Sequence, residues 1–504
     1  MSTLAKSTFI TTILNLCGIV FSFLSSLVIA RVFGAGREMD VYFAATAVPL
    51  FLTVVFVSSL SVIFLPVFTE YKNKEKEDVW KIVSSILNIG VGFTLLLSLL
   101  LIALSLPLMK FLTPGFDDGK IILSADLLRW FAPVVVLTLI NEMIASIYYS
   151  HNQFIIPLLN KVISPAITIV FVVLFSSIVN VKSIIWASLA GMFVQTLLLT
   201  YQIHKRIGFR YYFIFDYQHV GVKKVFKLIG PIILGALTYR IIPIFDRYIA
   251  SQLREGDISY LGYSFKLYSQ LPSIISTGIT LSIFPLLSQL AIEADWNKLR
   301  TIMSKAMRMV LFLSIPITVV LFLFGDSVIK LFFQRGAFKD IDTYYTSRTL
   351  AFYILALPIA VFGDILSKGY YVLQDTKTPM LIGIIEIVVY FSSVYILLPY
   401  IDFLAIPVSY AIYYNFSAIN IYFVRKKIGN TGGKTIFKSA IKYLLSAIIS
   451  SGICFIVLHF IEDVLSKNIV ILFSLILYFG INRFVFRTQE SIVLSFYFKK
   501  LIHI

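Results

Sequence analysis

Long apolar runs follow one another along almost the whole chain. The runs fall between residues 8 and 484, and short polar stretches separate most of them. Each run is about 18 to 28 residues long, and about 20 apolar residues in a helix are enough to cross the hydrocarbon core of a bilayer. The pattern therefore predicts a membrane protein whose α-helices cross the bilayer many times.

The apolar runs predict fourteen membrane spans. They cover residues 8–33, 41–69, 80–107, 125–150, 154–179, 183–204, 226–252, 258–290, 302–324, 343–373, 378–399, 403–424, 437–459 and 468–486. No small-residue cleavage pattern follows the first run, so we expect that run to be a retained helix and not a signal peptide. The expected fold is all-α and polytopic, with about fourteen transmembrane helices.

A weak internal repeat relates the second and eighth predicted spans. The second ends in residues 64–66 (FLP) and the eighth in residues 284–286 (FPL), and each follows a polar hairpin with Gly and Asp, at residues 36–40 and 256–257. Two related halves are typical of transporters that bind substrate near the membrane midplane. The repeat predicts two six-helix lobes and two added helices, with divisions at residues 1–210, 211–430 and 431–504.

Composition excludes a water-soluble fold. Of the 504 residues, 59% are hydrophobic and 14% are charged, and the mean hydropathy is +0.90. In a soluble domain about half of the residues are hydrophobic and about a quarter are charged. The formal charge is +17. Because the Lys and Arg residues fall at span ends and not on one soluble face, nucleic acid is not expected as a partner.

The distribution of basic residues predicts the orientation. Alternate loops carry about twenty Lys and Arg residues, against about eleven in the other loops, which places the richer set in the cytoplasm. The richer set comprises residues 72–81, 205–227, 298–308, 377 and 425–438. We therefore expect a multi-pass membrane protein with both termini in the cytoplasm.

One of these basic loops, residues 205–227, is also rich in aromatic residues. They are Tyr211, Tyr212, Phe213, Phe215 and Tyr217. A basic and aromatic mixture is suited to an anionic lipid surface. An ordinary cytoplasmic connector explains the same sequence equally well, so both interpretations stay open.

Cysteine and histidine give no sign of a redox or metal site. Cys17 and Cys454 both lie inside apolar runs, and the five histidines are scattered along the chain. Neither a disulfide framework nor a zinc site has this arrangement. No cofactor is expected, and the identity of any coupling ion is open.

Basic residues inside the spans are the sharpest functional signal. A charge at the bilayer centre costs about 2.5 to 3.5 kcal/mol on insertion scales, so it needs a partner or a water-filled cavity. Arg240 and Arg247 lie seven residues apart in the seventh span, on one helix face, and Lys266 lies in the eighth. Together they predict a phosphate site, in which Arg binds oxygens bidentately and Lys is a mobile point charge. Alternatively, Arg247 pairs with Asp246 or reaches the outer interface.

Charged residues nearer the cytoplasmic side are candidates for ion pairs or gates. Glu142 and Lys161 are expected at similar depth in the fourth and fifth spans. Asp364 and Lys368 are four residues apart in the tenth span, with Glu386 at similar depth in the eleventh. Such pairs are either architecture or gates that break during transport.

The first hairpin resembles the MurJ (MviN) family of bacterial lipid II flippases. The resemblance lies in residues 29–36 (IARVFGAG), followed by Asp40 and Phe43. Further similar motifs follow in order: Pro66 with residues 70–72 (EYK), 114–116 (PGF), 152–154 (NQF) with Pro157, 230–235 (GPIILG), 333–338 (FQRGAF), 369–371 (GYY) and 374–379 (QDTKTP). They cover roughly the first 430 residues.

This resemblance implies a fourteen-helix fold of the multidrug/oligosaccharidyl-lipid/polysaccharide exporter superfamily. It also implies a cationic central cavity, alternating access driven by an ion gradient or the membrane potential, and a lipid tail in a groove of the last two helices. The implied partners are an undecaprenyl-diphosphate-linked glycan and the bilayer, and the implied functional form is a monomer. By motif, Arg31 and Asp40 belong to the first hairpin, and Lys266 takes the place of the family's cavity arginine.

The chain departs from the family pattern in its amino-terminal half. Ser25 and Ser26 stand where an Arg-Asp pair is usual, Ile19 replaces a further arginine, and Thr53 and Val54 replace an arginine pair. The cationic residues are thus shifted toward helices seven and eight. The leading hypothesis is a lipid II flippase, and the alternative is a flippase for an O-antigen, capsule or exopolysaccharide repeat unit.

Two other classes fit less well. A cation-coupled drug antiporter of the same superfamily predicts twelve helices and an acidic cavity. A membrane glycosyltransferase or polymerase needs a catalytic carboxylate or His at the membrane surface, usually with large outer loops. The longest outer segment, residues 330–345, holds Asp340 and Asp342 but no wider constellation, so an enzyme is not expected.

Overall fold

The computed structural model describes residues 3–74, 79–375, 377–461 and 463–502. Within these ranges the chain is almost entirely helical and contains no β-strand. Two compact units make up the chain: residues 1–259 with 335–338, and residues 260–334 with 339–504. The all-α class predicted from the apolar runs is confirmed.

The described residues of the first unit form eleven α-helices. They are α1 (Thr3–Phe33), α2 (Arg37–Leu52), α3 (Ser59–Lys74), α4 (Val79–Ala103), α5 (Ser105–Leu112), α6 (Asp118–Phe131), α7 (Val134–Ser150), α8 (Ile155–Val179), α9 (Lys182–Ile207), α10 (Val220–Arg240) and α11 (Ile242–Ala250). A π-helical turn, Thr53–Ser58, joins α2 to α3, so the two form one span.

The other ten α-helices of the described ranges lie in the second unit, apart from the first three residues of α12. They are α12 (Asp257–Ile292), α13 (Trp296–Phe333), α14 (Asp340–Tyr353), α15 (Leu357–Val372), α16 (Lys377–Ile401), α17 (Ala405–Ser417), α18 (Asn420–Ile428), α19 (Gly433–Leu458), α20 (Val464–Gly480) and α21 (Gln489–Ile502). α19 and α20 pack on α13.

The described residues account for fourteen crossings. Twelve helical segments are long and apolar enough to span, and the bent pair Asp257–Thr280 and Ser282–Ile292 makes a thirteenth. One of the twelve, Lys377–Ile428, has 52 residues, which would measure about 78 Å against a core of about 30 Å. It breaks at Asp402, where φ is 54°, and α16 packs along α17. This segment therefore crosses twice, and the predicted count agrees.

The seventh span is broken into two helices, and Arg240 lies at the break. Arg240 is the last residue of α10, and α11 begins at Ile242 with Pro243 in its first turn. Proline has no N–H to donate to the preceding turn, and its ring disfavours a continuous helix there. The break therefore follows from the sequence, although the apolar pattern gave one uninterrupted span.

The seventh span packs with the second span. α10 contacts α3 and α11 contacts α2, all within the first unit. The boundary between the compact units thus lies at Ser259, whereas the sequence pattern divided the lobes at residues 210 and 211. The division into functional lobes stays a prediction about the transport cycle.

A buried polar network fixes the last helix of the second unit. Arg308 on α13 forms an ion pair with Glu490 on α21, with 2.8 Å between Nη1 and Oε1. The Tyr443 hydroxyl on α19 donates to the other carboxylate oxygen at 2.6 Å. Because the carboxylate receives both a charge partner and a neutral donor, its burial is compensated.

Candidate substrate-binding and gating residues

Arg240 and Arg247 are cationic residues of the first unit that have no carboxylate partner in the described part of the chain. The Arg240 side chain is exposed at the end of α10. Arg247 is partly buried on α11, its Nε has no hydrogen-bond partner, and it forms no ion pair with Asp246. A buried guanidinium nitrogen without an acceptor costs free energy, which an anionic ligand would recover.

Lys266 belongs to the second unit. It is the tenth residue of α12, which places it about 14 Å along the helix from its start. Its side chain is partly buried and lies within ion-pair distance of no carboxylate among residues 3–74, 79–375, 377–461 and 463–502. The two units thus each present at least one unneutralised cation within a span.

Arg31 makes a backbone contact between two of the sequence motifs. It lies in the last turn of α1 with an exposed side chain. Its carbonyl oxygen accepts a hydrogen bond from the Ala337 amide at 2.8 Å. Two of the motifs that carry the family resemblance, residues 29–36 and 333–338, therefore meet in the fold.

Glycine makes this contact between motifs sterically possible. Gly34 and Gly336 have φ values of +66° and +63°, and a Cβ added to Gly336 would lie 2.3 Å from the Arg31 oxygen. A Cβ on Gly34 would lie 2.6 Å from the Ala337 oxygen. Both the backbone conformation and the close approach exclude a larger side chain.

Asp40 is the most completely bonded of the predicted site residues. Its carboxylate is 1% exposed and accepts hydrogen bonds from the Gly256 amide at 2.7 Å, the Ser259 amide at 2.9 Å and the Ser259 hydroxyl at 2.7 Å. These donors belong to the first turn of α12 and the residue before it. An anion is stabilised there because the amides are unpaired within the helix and the helix dipole is positive.

The sequence pattern missed two ion pairs near Asp40. Lys120 pairs with Glu255 at 2.8 Å, and Arg37 binds Asp117 bidentately at 2.9 and 3.1 Å. The Lys120 amide and the Arg37 guanidinium hold the pKa of Asp117 below its ordinary value. Asp117 before a helical run signals an N-cap, but nothing in the spacing identifies Arg37 as its partner.

Glu142 and Lys161, which were candidates for a direct ion pair, do not form one among the described residues. Both side chains are exposed. Lys161 instead donates to the Asn15 side-chain oxygen on α1 at 2.9 Å. A Cβ on Gly18 would lie 2.7 Å from the Lys161 Cβ, so α1 and α8 approach closely there. Lys161 is thus joined to α1, and its gating role stays a prediction.

Asp364 and Lys368 also form no direct pair among the described residues. Asp364 accepts a hydrogen bond from the Ser276 hydroxyl at 2.6 Å. The Lys368 ammonium lies 5.3 Å from the Tyr371 ring centroid and 5.7 Å from that of Phe284. Aromatic faces attract a cation at this range. Each charge therefore makes its direct contacts with neutral side chains, despite the spacing of one helical turn between the two.

Glu386 is a buried carboxylate with neutral partners. It is 4% exposed and accepts a hydrogen bond from the Asn420 side-chain amide at 3.2 Å. Tyr370 in turn donates to the Asn420 side-chain oxygen at 3.2 Å. Asn420 begins α18 after the break that follows α17, and no sequence motif pointed to it.

No metal site is evident in the described part of the chain. There, no group of three or more His, Cys, Asp and Glu side chains is arranged to hold an ion. The arrangement of unneutralised cations and hydrogen-bonded carboxylates is suited to binding an anion and to forming and breaking polar contacts.

Comparison with known proteins gives the family. Residues 29–479 match the sequence model of the family described as lipid II flippase MurJ. A probable lipid II flippase MurJ from Buchnera aphidicola subsp. Acyrthosiphon pisum is 29% identical over 458 residues, 89% of each chain. The corresponding protein of Vibrio cholerae is 28% identical over 400 residues, 76% of each chain.

Solved structures show the same fold. A lipid II flippase MurJ in an inward closed conformation matches with a TM-score of 0.81 and 23% identity, covering 98% of this chain and all of that one. An inward-facing multidrug resistance MATE transporter matches with a TM-score of 0.67 and 15% identity, over 85% of this chain and 96% of that one. The chain is therefore a multi-pass transporter of the MATE-like fold, and it belongs to the MurJ family.

Proposed function

We propose that this chain is a lipid II flippase, which moves an undecaprenyl-diphosphate-linked peptidoglycan precursor from the cytoplasmic to the outer leaflet. The observation that carries the proposal is the match to the lipid II flippase MurJ family over residues 29–479. Some cations within the described spans have no carboxylate partner. They support the proposal because the diphosphate of the substrate can serve as their counter-charge.

The proposed substrate-binding residues are Arg31, Arg240, Arg247 and Lys266. An arginine guanidinium matches two phosphate oxygens at once, whereas a lysine ammonium binds as a point charge and releases more readily. The polyprenyl chain stays in the lipid, and no bond is made or broken. The chain therefore works as a transporter of a lipid-linked oligosaccharide and not as an enzyme.

Alternating access requires polar contacts that break and re-form. We assign this role to Asp40, whose hydrogen bonds end on the first turn of α12, and to the inner charges Glu142, Lys161, Asp364, Lys368 and Glu386. Hydrogen bonds from Asn and Ser donors are easier to exchange for water than a buried ion pair is to separate.

The proposed location is the bacterial inner membrane, with both termini in the cytoplasm and a single chain as the functional unit. The excess of basic residues in alternate loops supports this orientation. One chain carries both halves of the predicted repeat and all of the proposed binding residues. Two six-helix lobes, residues 1–210 and 211–430, followed by two further helices are part of this proposal.

Transport in reconstituted liposomes tests the proposal. Fluorescent lipid II is placed in both leaflets, and a membrane-impermeant reductant then bleaches the outer pool. A flippase brings protected substrate to the outer surface, so bleaching proceeds beyond half of the signal. Liposomes without protein give the control plateau, and the same plateau with protein would overturn the function.

A repeat-unit flippase is the second candidate. The observation that favours it is the replacement of the usual family cations by Ser25, Ser26, Thr53 and Val54. The same assay with an undecaprenyl-diphosphate-linked repeat unit that lacks the peptide distinguishes the two. Bleaching of the repeat unit alone assigns the second function, whereas bleaching of lipid II alone assigns the first.

A further inference from the structure

The segment between α9 and α10 is an ordered, extended strip with one aromatic face left open. α9 ends at Ile207 with Gly208 as a left-handed cap, and α10 begins at Val220. Between them, residues 209–216 have no regular secondary structure. Exposed aromatic side chains nevertheless recur along it, with Phe213 78% and Tyr217 59% exposed.

Polar side chains of α4 hold the backbone of this strip. The Tyr212 amide donates to the Ser84 hydroxyl at 3.0 Å, and the Asp216 amide donates to that of Ser85 at 3.1 Å. Asn88 donates to the Tyr212 and Ile214 carbonyl oxygens at 3.1 and 2.9 Å. The three α4 side chains are nearly inaccessible. They satisfy backbone groups that would otherwise be costly near hydrocarbon.

These contacts lie in the first half of α4. Ser84 and Asn88 lie five and nine residues beyond Val79, where α4 begins, or about 8 and 14 Å along the axis. α4 has 25 residues, about 38 Å, so it extends beyond a core of about 30 Å. Trp80 and Lys81 at its start are interfacial residue types.

Phe213 is held at the tip of a tight turn that points its ring away from the protein. The Ile214 amide donates to the Tyr212 carbonyl at 3.0 Å, which closes a three-residue turn with Phe213 at its centre. The Phe213 and Phe215 rings contact each other edge to face, with centroids 5.4 Å apart. Phe209 instead turns inward against Trp80. The outward aromatic face is therefore fixed before any partner binds.

Three exposed cations precede the exposed aromatic residues along the chain. Lys205 and Arg206 lie in the last turn of α9, and Arg210 is the third residue after its end. Aromatic rings at the headgroup level flanked by cations are complementary to a phospholipid surface with negative charge. A water-facing connector needs neither the buried Ser84, Ser85 and Asn88 contacts nor the outward rings.

We propose that residues 205–217 form a lipid-binding wedge, in which Phe213 and Phe215 enter the bilayer edge and Lys205, Arg206 and Arg210 bind anionic phospholipid headgroups. The wedge lies on one side of a single compact unit and does not involve the transported substrate. Its test therefore needs no transport measurement and does not depend on the proposed flippase function.

Depth-dependent quenching tests the aromatic part. Phe213→Cys is made in a Cys17→Ser, Cys454→Ser background, labelled with an environment-sensitive fluorophore and reconstituted into phosphatidylcholine vesicles. Gln218→Cys, five residues on and exposed, is the matched control. We expect nitroxide lipids to quench position 213 strongly and aqueous iodide to quench position 218. Equal iodide quenching at both positions would overturn the proposal that Phe213 enters the bilayer. Protection of position 213 from both quenchers would also overturn it, because the side chain would then be covered by protein.

Lipid selectivity tests the cationic part. Full-length protein is extracted from vesicles of equal parts phosphatidylcholine and phosphatidylglycerol. Mass spectrometry then measures the ratio of the two lipids that remain bound to the protein. Replacing Lys205, Arg206 and Arg210 with Gln should lower the ratio of phosphatidylglycerol to phosphatidylcholine by at least about tenfold, since each cation near an anionic surface contributes about fivefold. The charge-preserving variant (Lys205→Arg, Arg206→Lys, Arg210→Lys) should keep the wild-type ratio. An unchanged ratio in the Gln variant would overturn headgroup binding.

Discussion

The Asp40 carboxylate accepts hydrogen bonds from both the amide and the hydroxyl of Ser259, a residue 219 positions later in the chain. A third hydrogen bond comes from the Gly256 amide. One acidic side chain at the start of α2 thus accepts hydrogen bonds from the backbone amides at the start of α12. The two polar hairpins that the sequence pattern paired as repeats of each other are in fact bonded to each other.

Asp40→Ala should destabilise the protein by about 2 to 4 kcal/mol, because it leaves buried donors of α12 without an acceptor. Ser259→Ala removes only the hydroxyl donor and should cost about 1 kcal/mol. Thermal unfolding in detergent, followed by intrinsic fluorescence, measures both. Equal midpoints for Asp40→Ala and the wild type would show that the carboxylate does not stabilise this region.

Gly34→Ala should be destabilising by at least about 2 kcal/mol, because a non-glycine residue is strained at positive φ and its Cβ meets a backbone oxygen. The oxygen is that of Ala337, 2.6 Å from the added carbon. Gly363→Ala is the matched control, since it lies inside α15 with open space around the new Cβ. It should stabilise α15 by about 0.5 to 1 kcal/mol. Thermal unfolding shifts of the same sign in both variants would contradict the steric argument.

The apolar pattern predicts where charged residues lie along their helices, but it does not predict their partners. Periodicity gives the position of a residue along a helix axis, but the rotation of that helix depends on its packing. Glu142 and Lys161 have similar expected depths, yet Lys161 bonds to Asn15. Likewise, the partner of Glu386 is Asn420, 34 residues away, and nothing in the spacing of these residues encodes that contact.

The sequence motifs identified residues that are needed for a particular local backbone conformation or cap. Gly34 and Gly336 are required by positive φ, and Asp40 lies in a hairpin motif and bonds to the start of a helix. The break after Arg240 is also encoded, by Pro243, although hydropathy alone conceals it. Contacts between distant helices, such as that of Arg37 with Asp117, were beyond the reach of the sequence because no local rule constrains them.

Glu490→Gln should be strongly destabilising, by about 3 to 5 kcal/mol, because it leaves the buried Arg308 guanidinium without a counter-charge. Tyr443→Phe removes one hydrogen bond to the same carboxylate and should cost about 1.5 to 3 kcal/mol. Gln489→Ala removes a weaker contact to Arg308, of 3.2 Å, and serves as the neighbouring control. Chemical denaturation in detergent measures all three. A Gln489→Ala effect as large as that of Glu490→Gln would mean that α21 docking, and not charge pairing, is being measured.

Acid should lower the stability of the folded protein by protonating Asp375, which lies between two spans. Burial alone would raise the pKa of Asp375, but hydrogen bonds from Lys427 and Thr378 lower it to about 2 from an ordinary 3.8. Because the folded pKa lies below the unfolded one, the stabilisation is complete above pH 3.8 and is lost as the pH falls to about 2. Asp375→Asn should flatten the dependence of the unfolding midpoint on pH in that window. Asp340→Asn, at a side chain 86% exposed, should not, and equal flattening would contradict the assignment.

Arg240→Ala and Lys266→Ala should each reduce transport of the lipid-linked substrate by at least about tenfold, because each removes a charge-assisted contact to phosphate. Arg240→Lys keeps the charge but loses the bidentate geometry, so its loss should be smaller than that of Arg240→Ala. Neither residue has a carboxylate partner in the described part of the chain, so neutralisation should leave the unfolding midpoint nearly unchanged. The liposome bleaching assay gives the rates, and the unfolding midpoint is the folding control. Wild-type transport in both single variants and in the double variant would show that the cationic residues are not the substrate site.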